Sequence, residues 1–509
     1  MTRAGRSHAH RGNFYHALER AFPAPRSQPF IETETGDIFT YADLEGWAHR
    51  LALALEAAGA GPGDRVAVQV EKSPMAVALY LACLKAGVVY LPLNPAYGGD
   101  ETAHVIKDAA PRLFVCTATR EGEIASLMAD PGAVLTLDED GGGSLVEQAA
   151  GRAPCHRTAD VDGGDLAALL YTSGTTGRPK GAMISHANLA SNAHALHALW
   201  GFGADDVLIH ALPIFHVHGL FVALHCVLLS GAKALFLRHF DAARVIELFA
   251  RATVLMGVPT FYVRLVDNPR LRPEACTHMR LFVSGSAPLR QDIFRAFEAR
   301  SGHAILERYG MTEAGIIASN PLDGARLPGT VGFALSGVAA RVVDENGRSV
   351  KSGTPGMLEI RGPNLFAGYW RAPEKTEAEF RDDGYFRTSD LATIDETGRL
   401  SILGRTHELI ITGGFNVYPR EVETALDSLP GIRESAVLGL PDREYGEVVA
   451  AAIVPDGAMP MPALGDIEAA LAARLAGYKL PRQLRMVDAL PRNAMGKVQK
   501  HRLRACFDV

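Results

Sequence analysis

Tyr171-Thr-Ser-Gly-Thr-Thr-Gly-Arg-Pro-Lys-Gly181 gathers four aliphatic hydroxyls, three glycines and a lysine into one short segment. An apolar run, Leu166 to Tyr171, feeds it and reads as a strand. Glycine lets a backbone fold tightly enough for several N–H groups to face one anion. Thr172, Ser173, Thr175 and Thr176, spaced around Gly174, add hydroxyl donors, and Lys180 adds positive charge. Such a loop suits a triphosphate, or pyrophosphate as it leaves. The GxxxxGK[ST] spacing of a Walker loop is absent.

Outward from this loop, helical patterns alternate with short apolar runs. Asp43 to Ala58 reads as a helix closed by Gly59-Ala-Gly-Pro-Gly63, and Arg65 to Val70 as a strand. Met75 to Ala86 reads as a helix, with strands at Val88 to Leu91 and Arg112 to Cys116. The alternation recurs from Val207 to Arg308, with one helix expected near Gly219 to Leu229. It predicts an α/β fold: a large N-terminal domain of parallel-rich sheets covered by helices. From about Gly332, short β runs with turns such as Asp344-Glu-Asn-Gly347 predict a β-rich subdomain. The last hundred residues predict a small α+β C-terminal lid.

Bulk properties bound the function. The chain has 509 residues, more than one core usually serves, so at least two domains are expected. Net charge is −6 and no basic tract appears, which argues against a nucleic-acid partner. Six scattered cysteines form no CxxC pair and no zinc spacing, in keeping with a reducing compartment. The N-terminal residues lack an apolar core of signal-peptide length, and runs such as Val77 to Leu84 are too short to span a bilayer. A soluble cytoplasmic protein is expected.

The loop resembles the signature of the adenylate-forming superfamily, which contains acyl-CoA synthetases, luciferases and adenylation domains of peptide synthetases. Further motifs occur in the superfamily's order: Tyr309-Gly-Met-Thr-Glu313, Phe386-Arg-Thr-Ser-Asp390, Gly404-Arg405 and Pro491-Arg-Asn-Ala-Met-Gly-Lys497. The resemblance implies an N-terminal adenylation domain over 1–404, a hinge at 405–407 and a lid over 408–509. It implies ATP, Mg²⁺ and coenzyme A as reactants and cofactors. Ser286-Ala287-Pro288 resembles the loop along the adenine, and Tyr309 offers a face for stacking it. Thr312 can bond a phosphate oxygen, and Glu313 is a hard oxygen ligand suited to Mg²⁺. Asp390 suits the ribose hydroxyls, and Arg405 resembles a second sugar and phosphate contact. Lys497 is implied to neutralise charge on the attacking carboxylate and α-phosphate. Gly413-Gly414 matches a hairpin that approaches pantetheine.

For the acid, Ile209-His-Ala-Leu-Pro-Ile-Phe-His-Val-His-Gly-Leu220 and the stretches at 254–265, 279–289 and 411–419 resemble malonyl-CoA synthetases. A second carboxylate must not be stranded in an apolar pocket, so a cation is required. Arg264 is the first candidate and Arg280 the second. His216 matches a gate residue beside the carboxylate, His218 could add a donor, and Ser284 and Met311 complete the acyl-side set. Ile316 and Ile317 could make the pocket more apolar, which keeps methylmalonate open. A monocarboxylate ligase and a carrier-loading adenylation enzyme stand as alternatives. Two departures from the superfamily pattern are His407 at the hinge and Ser389, where glycine is commoner; Ser389 is expected to matter little. A lysine acetyltransferase acting on Lys497 would remove its charge.

Overall fold

The computed structural model describes residues 12–154, 156–172, 179–457, 459, 462 and 464–507. Ser173, Gly174, Thr175 and Thr176 of the phosphate loop, and Cys155, lie outside the described residues.

Two mixed sheets carry the N-terminal part. One has six strands in the order Val134–Thr136, Leu113–Cys116, Arg65–Gln69, Val89–Pro92, Leu166–Thr172, Lys180–Ser185. Its first five strands run parallel, and the last pairs antiparallel with Leu166–Thr172. The phosphate segment is thus the connection of an edge hairpin. The other sheet has nine strands, and its six central strands, from Leu306–Met311 across to Pro29–Thr33, are parallel. Antiparallel strands close both of its edges.

The helix Pro74–Ala86 shows why the layers hold. Ser73 accepts from the Ala76 N–H, Pro74 opens the first turn, and Gly87 ends the helix at a φ of 70°. Every residue from Met75 to Ala86 is buried, so this helix is apolar all round and lies within the fold. The helix Tyr41–Ala57, opened by a Thr40–Asp43 capping box, packs against it. One core cluster runs through both sheets into the β-rich part and takes in Met495 of the lid. Ile316 and Ile317 belong to that core, 2% and 0% exposed. The helix expected near 219–229 is instead a π-helical segment, His218–Leu224, followed by an α-helix, His225–Ser230. Among the described residues no helix is long and apolar enough to cross a membrane.

Sheet membership changes at Arg405. The four-stranded antiparallel sheet Ala339–Val343, Gly356–Arg361, Phe386–Ile394, Leu400–Arg405 ends there. The next strand, Ile410–Thr412, belongs to a separate sheet whose other strands are Phe415–Val417, Ile432–Asp442, Gly446–Pro455 and Gln483–Met486.

Arg280 does not join the acyl pocket. It precedes the strand Leu281–Ser284, and its Nε and Nη2 donate to Asp206 Oδ1 and Oδ2 at 2.7 and 2.6 Å. Nη1 bonds the Trp200 carbonyl at 3.0 Å. Ligand sites in parallel sheets gather at the strands' carboxyl ends, and this is the other end. Asp206 is nearly buried. Arg280→Ala is therefore expected to destabilise the fold by about 2 kcal/mol, read as a lower denaturant midpoint, with the acid KM unchanged. A raised KM at unaltered stability would return Arg280 to the site.

Candidate active site

Near the carboxyl ends of the central strands, Arg308, Ser284 and the imidazoles of His216 and His218 gather. Arg308, two residues into the strand Leu306–Met311, is 5% exposed, and its Nε and Nη2 have no hydrogen-bond partner. A Cβ on Gly285 would lie 2.4 Å from the Arg308 Cζ, so glycine is needed for the guanidinium to pass. Ser284 Oγ, buried at the end of its strand, is also unpartnered. His216 and His218 face the same charge: burial first, then Arg308, lowers both imidazoles, His216 to about 4. His218 Nδ1 lies 3.2 Å from Ser286 Oγ, and its Nε2 is buried without a partner. Burial itself pulls Arg308 down to about 9. Among the described residues no carboxylate pairs with this guanidinium.

Arg308 was missed by sequence reasoning, although a signal existed. Glu307-Arg308 places two adjacent charges in a strand whose faces are both buried. Arg264, by contrast, is exposed in the last turn of the helix Pro259–Asp267. Met311 packs partly buried against the core beside this group.

The nucleotide residues come together beside it. Asp390 Oδ1 pairs with Arg405 Nε at 2.8 Å, and its other oxygen accepts from the Tyr309 hydroxyl. Burial raises the Asp390 carboxyl while Arg405 opposes the shift. Tyr309 is therefore fixed through its hydroxyl, with its ring left to pack. Ser286 adopts a φ of 72° just after Ser284, turning the Ser286–Pro288 loop along this face. Thr312 lies in the turn between the strands Leu306–Met311 and Gly315–Ser319. Glu313 is 7% exposed; burial raises its carboxyl, and one oxygen accepts from the Tyr369 hydroxyl at 3.0 Å. That leaves a desolvated carboxylate oxygen, a donor type that fits a hard divalent cation. Thr172 and Lys180 flank the phosphate segment on paired positions of the edge hairpin.

The lid brings Lys497 to the same place. Its loop is held by Asn493 Oδ1, which accepts from the Met495 and Lys497 amides at 3.0 Å. Lys497 is exposed over the residue as a whole, yet the surroundings of its ammonium, desolvation first and then Arg405, lower its pKa, with Glu408 and Asp390 opposing. Gly496 reaches the acyl-side helix, where a Cβ would lie 3.0 Å from Thr260 Oγ1. Lys500 is a brace: its Nζ pairs with Glu423 at 2.8 Å and Glu408 at 3.2 Å. Gly413 and Gly414, at φ of 56° and 83°, form the tip of an exposed hairpin. His407 lies exposed in the short turn Thr406–Glu408. Ser389 does matter: its φ of 58° is the left-handed region. That explains why glycine suits this position and costs a serine roughly 1 kcal/mol.

Tyr309, Glu313, Asp390, Arg405 and Lys497 share one region, and Thr172 and Lys180 stand on the paired strands that flank the phosphate segment, the residue set of an acyl-adenylating CoA ligase. The comparisons agree: residues 18–370 match the AMP-binding enzyme family and 421–497 match the AMP-binding enzyme C-terminal domain, so the chain belongs to this family. It is 52% identical to MatB from Rhodopseudomonas palustris, covering 97% of this chain and 99% of that one. The TM-score is 0.95 to the ATP-bound MatB structure and 0.85 to the apo structure. It is 35% identical over 476 residues to a feruloyl-CoA synthase of an Amycolatopsis species, 93% of this chain and 94% of that one. It is 34% identical over 487 residues to a malonate–CoA ligase of Arabidopsis thaliana, 89% of this chain and 79% of that one.

Lys497→Ala is expected to slow acid-dependent pyrophosphate exchange about a hundredfold or more while sparing thioester formation from supplied acyl-adenylate. Only the ammonium form neutralises phosphate, and its pKa lies below the usual lysine value. The exchange rate in the native protein should therefore fall as pH rises through that lowered pKa, an arm missing from the alanine variant's profile. Ser389→Gly is expected to raise the melting midpoint slightly with activity kept, a gain of up to about 1 kcal/mol.

Proposed function

We propose that this chain ligates a short dicarboxylic acid, malonate or a 2-substituted malonate, to coenzyme A through an acyl-adenylate. The observation that carries this is Arg308, a buried guanidinium without a carboxylate partner among the described residues. An unpaired buried charge is expensive, and an anionic group of the ligand relieves it. Ser284 Oγ and His218 Nε2 are likewise buried and unpartnered. Uncharged imidazoles can donate to carboxylate oxygens without adding fixed charge. The malonate–CoA ligase relative supports the same reading. A feruloyl group, the acid of another relative, would leave Arg308 without a partner.

In this reading the distal carboxylate sits on Arg308 and the near carboxylate faces the nucleotide. The near carboxylate oxygen attacks the α-phosphorus of ATP, a P–O bond forms, and the bond to the β-phosphate bridging oxygen breaks to release pyrophosphate. Lys497 holds the charge gathered on the attacking and α-phosphoryl oxygens. Asp390 and Arg405 fix the ribose, and Thr172 and Lys180 hold the outer phosphates. Glu313 would hold Mg²⁺, which when bound neutralises phosphate charge. In the second half-reaction the CoA thiolate attacks the acyl carbonyl and AMP leaves. The exposed Gly413-Gly414 hairpin suits the approach of the pantetheine arm, since glycine lets a narrow chain lie close.

Acetate, malonate, methylmalonate, succinate and benzoate, offered with ATP and CoA and scored by AMP release, test the reading. Malonate or methylmalonate should lead. Arg308→Leu should lose about a hundredfold or more in kcat/KM for the diacid and gain on a short monocarboxylate. Equal use of acetate and malonate by the native enzyme would sink the diacid assignment.

A further inference from the structure

The phosphate side of the cleft holds a second lysine that none of the motifs above includes. Pro373-Glu-Lys-Thr376 opens the helix Pro373–Glu379. The chain before it is laced to the strand that carries Lys180. Met183 N–H donates to the Gly368 carbonyl at 3.0 Å, Trp370 N–H to the Gly181 carbonyl at 2.7 Å, and Ala182 bridges to Tyr369. Arg371, at a φ of 51°, then turns the chain, and Thr376 Oγ1 accepts from Tyr369 N–H at 2.9 Å. A Cβ on Gly368 would lie 2.7 Å from Thr376 Cγ2, so the helix start is pressed onto this crossing. Lys375 is thereby delivered beside Lys180 by backbone hydrogen bonds, not by a free loop.

We propose that Lys375 is a second cation of the terminal-phosphate site, which with Lys180 grips the β- and γ-phosphoryl oxygens and retains the pyrophosphate they become. Lys375 Nζ lies 5.8 Å from the centre of the Tyr369 ring, whose hydroxyl bonds Glu313. It thus stands on the same side as the carboxylate suited to Mg²⁺. It makes a loose ion pair with Glu379 Oε1 at 3.8 Å, one turn along the same helix. The Glu379 carboxylate also acts on Lys180, so one acidic group stands beside two ammonium groups. Two ammonium groups brought together by rigid backbone repel, and an anion between them removes the repulsion. Burial, then the Lys375 ammonium, brings Lys180 down to about 8, as expected for cations awaiting an anion. Lysine meets phosphate as a point charge with three donors, and two lysines can share one pyrophosphate.

The proposal rests on the nucleotide reading of this cleft and not on the identity of the acid. Pyrophosphate exchange, run with whichever acid the native enzyme uses, tests it against Lys375→Ala and Lys375→Arg. Lys375→Ala should raise the ATP KM and the pyrophosphate inhibition constant about tenfold each, with thioester formation from supplied acyl-adenylate unchanged. Lys375→Arg should recover most of that loss, because the charge is kept. An ATP KM and a pyrophosphate constant within twofold of native would overturn the assignment. So would an equal fall in both half-reactions, which would make Lys375 a brace for the helix. Failure of the native enzyme to exchange pyrophosphate with any acid would instead remove the nucleotide reading, so the two failures are distinct.

Discussion

A guanidinium shut away from water and unanswered by any carboxylate among the described residues sets the terms for this structure. Moving a cation into a protein interior carries an effective penalty of several kcal/mol. Arg308 is held there between a parallel strand, Leu281–Ser284, and an antiparallel one, Gly315–Ser319, and by a glycine whose missing side chain admits it. The neighbouring groups adapt to it. Burial first, and then the Arg308 charge, keeps His216 and His218 neutral. Ser284 keeps its hydroxyl turned inward without a partner. A stable core around them, continuous across both sheets, bears this arrangement. The group is therefore built for an anion before any anion arrives, which is the sense in which binding sites are pre-organised.

The nucleotide half is tied to the lid by one rung of a ladder. Asp390 and Arg405 face each other across antiparallel strands, and Arg405 is also the last residue before the chain enters the lid's own sheet. Other contacts cross the same boundary. Arg290 pairs with Asp427 at 3.4 Å, and Arg420 donates to the Leu289 carbonyl at 3.0 Å. Asp390, Arg405 and the C-terminal domain thus share bonds, so the proposed nucleotide site and the placement of that domain are coupled through short contacts. The higher TM-score to the ATP-bound relative than to its apo form is in keeping with this.

Most of the architecture was legible because it rests on local signals. Gly and Ser/Thr clusters, caps such as Ser73 and Thr40, and buried alternation mark element ends and types without reference to distant residues. Motif residues followed for the same reason: Tyr309, Glu313, Asp390 and Lys497 sit in short ordered strings. The acyl pocket was not legible, because its arginine is defined by what surrounds it in space. Arg264 looked well placed at the start of a helix, yet it lies one turn too far along and is exposed. Arg280 could have been set aside from the sequence alone, since it precedes its strand while sites gather where strands end. Ser389 resisted for another reason, as its backbone angle cannot be read from residue type.

The clamp between Arg280 and Asp206 lies at the opposite rim of the sheet from Arg308 and Ser284. One rim holds the fold together and the other carries the proposed acid site, with four-residue strands between them. Changes at the second rim need not disturb the first. A lineage built this way can drift from one acid to another through a few side chains while its scaffold stays intact, and relatives named for ferulate and for malonate illustrate that freedom.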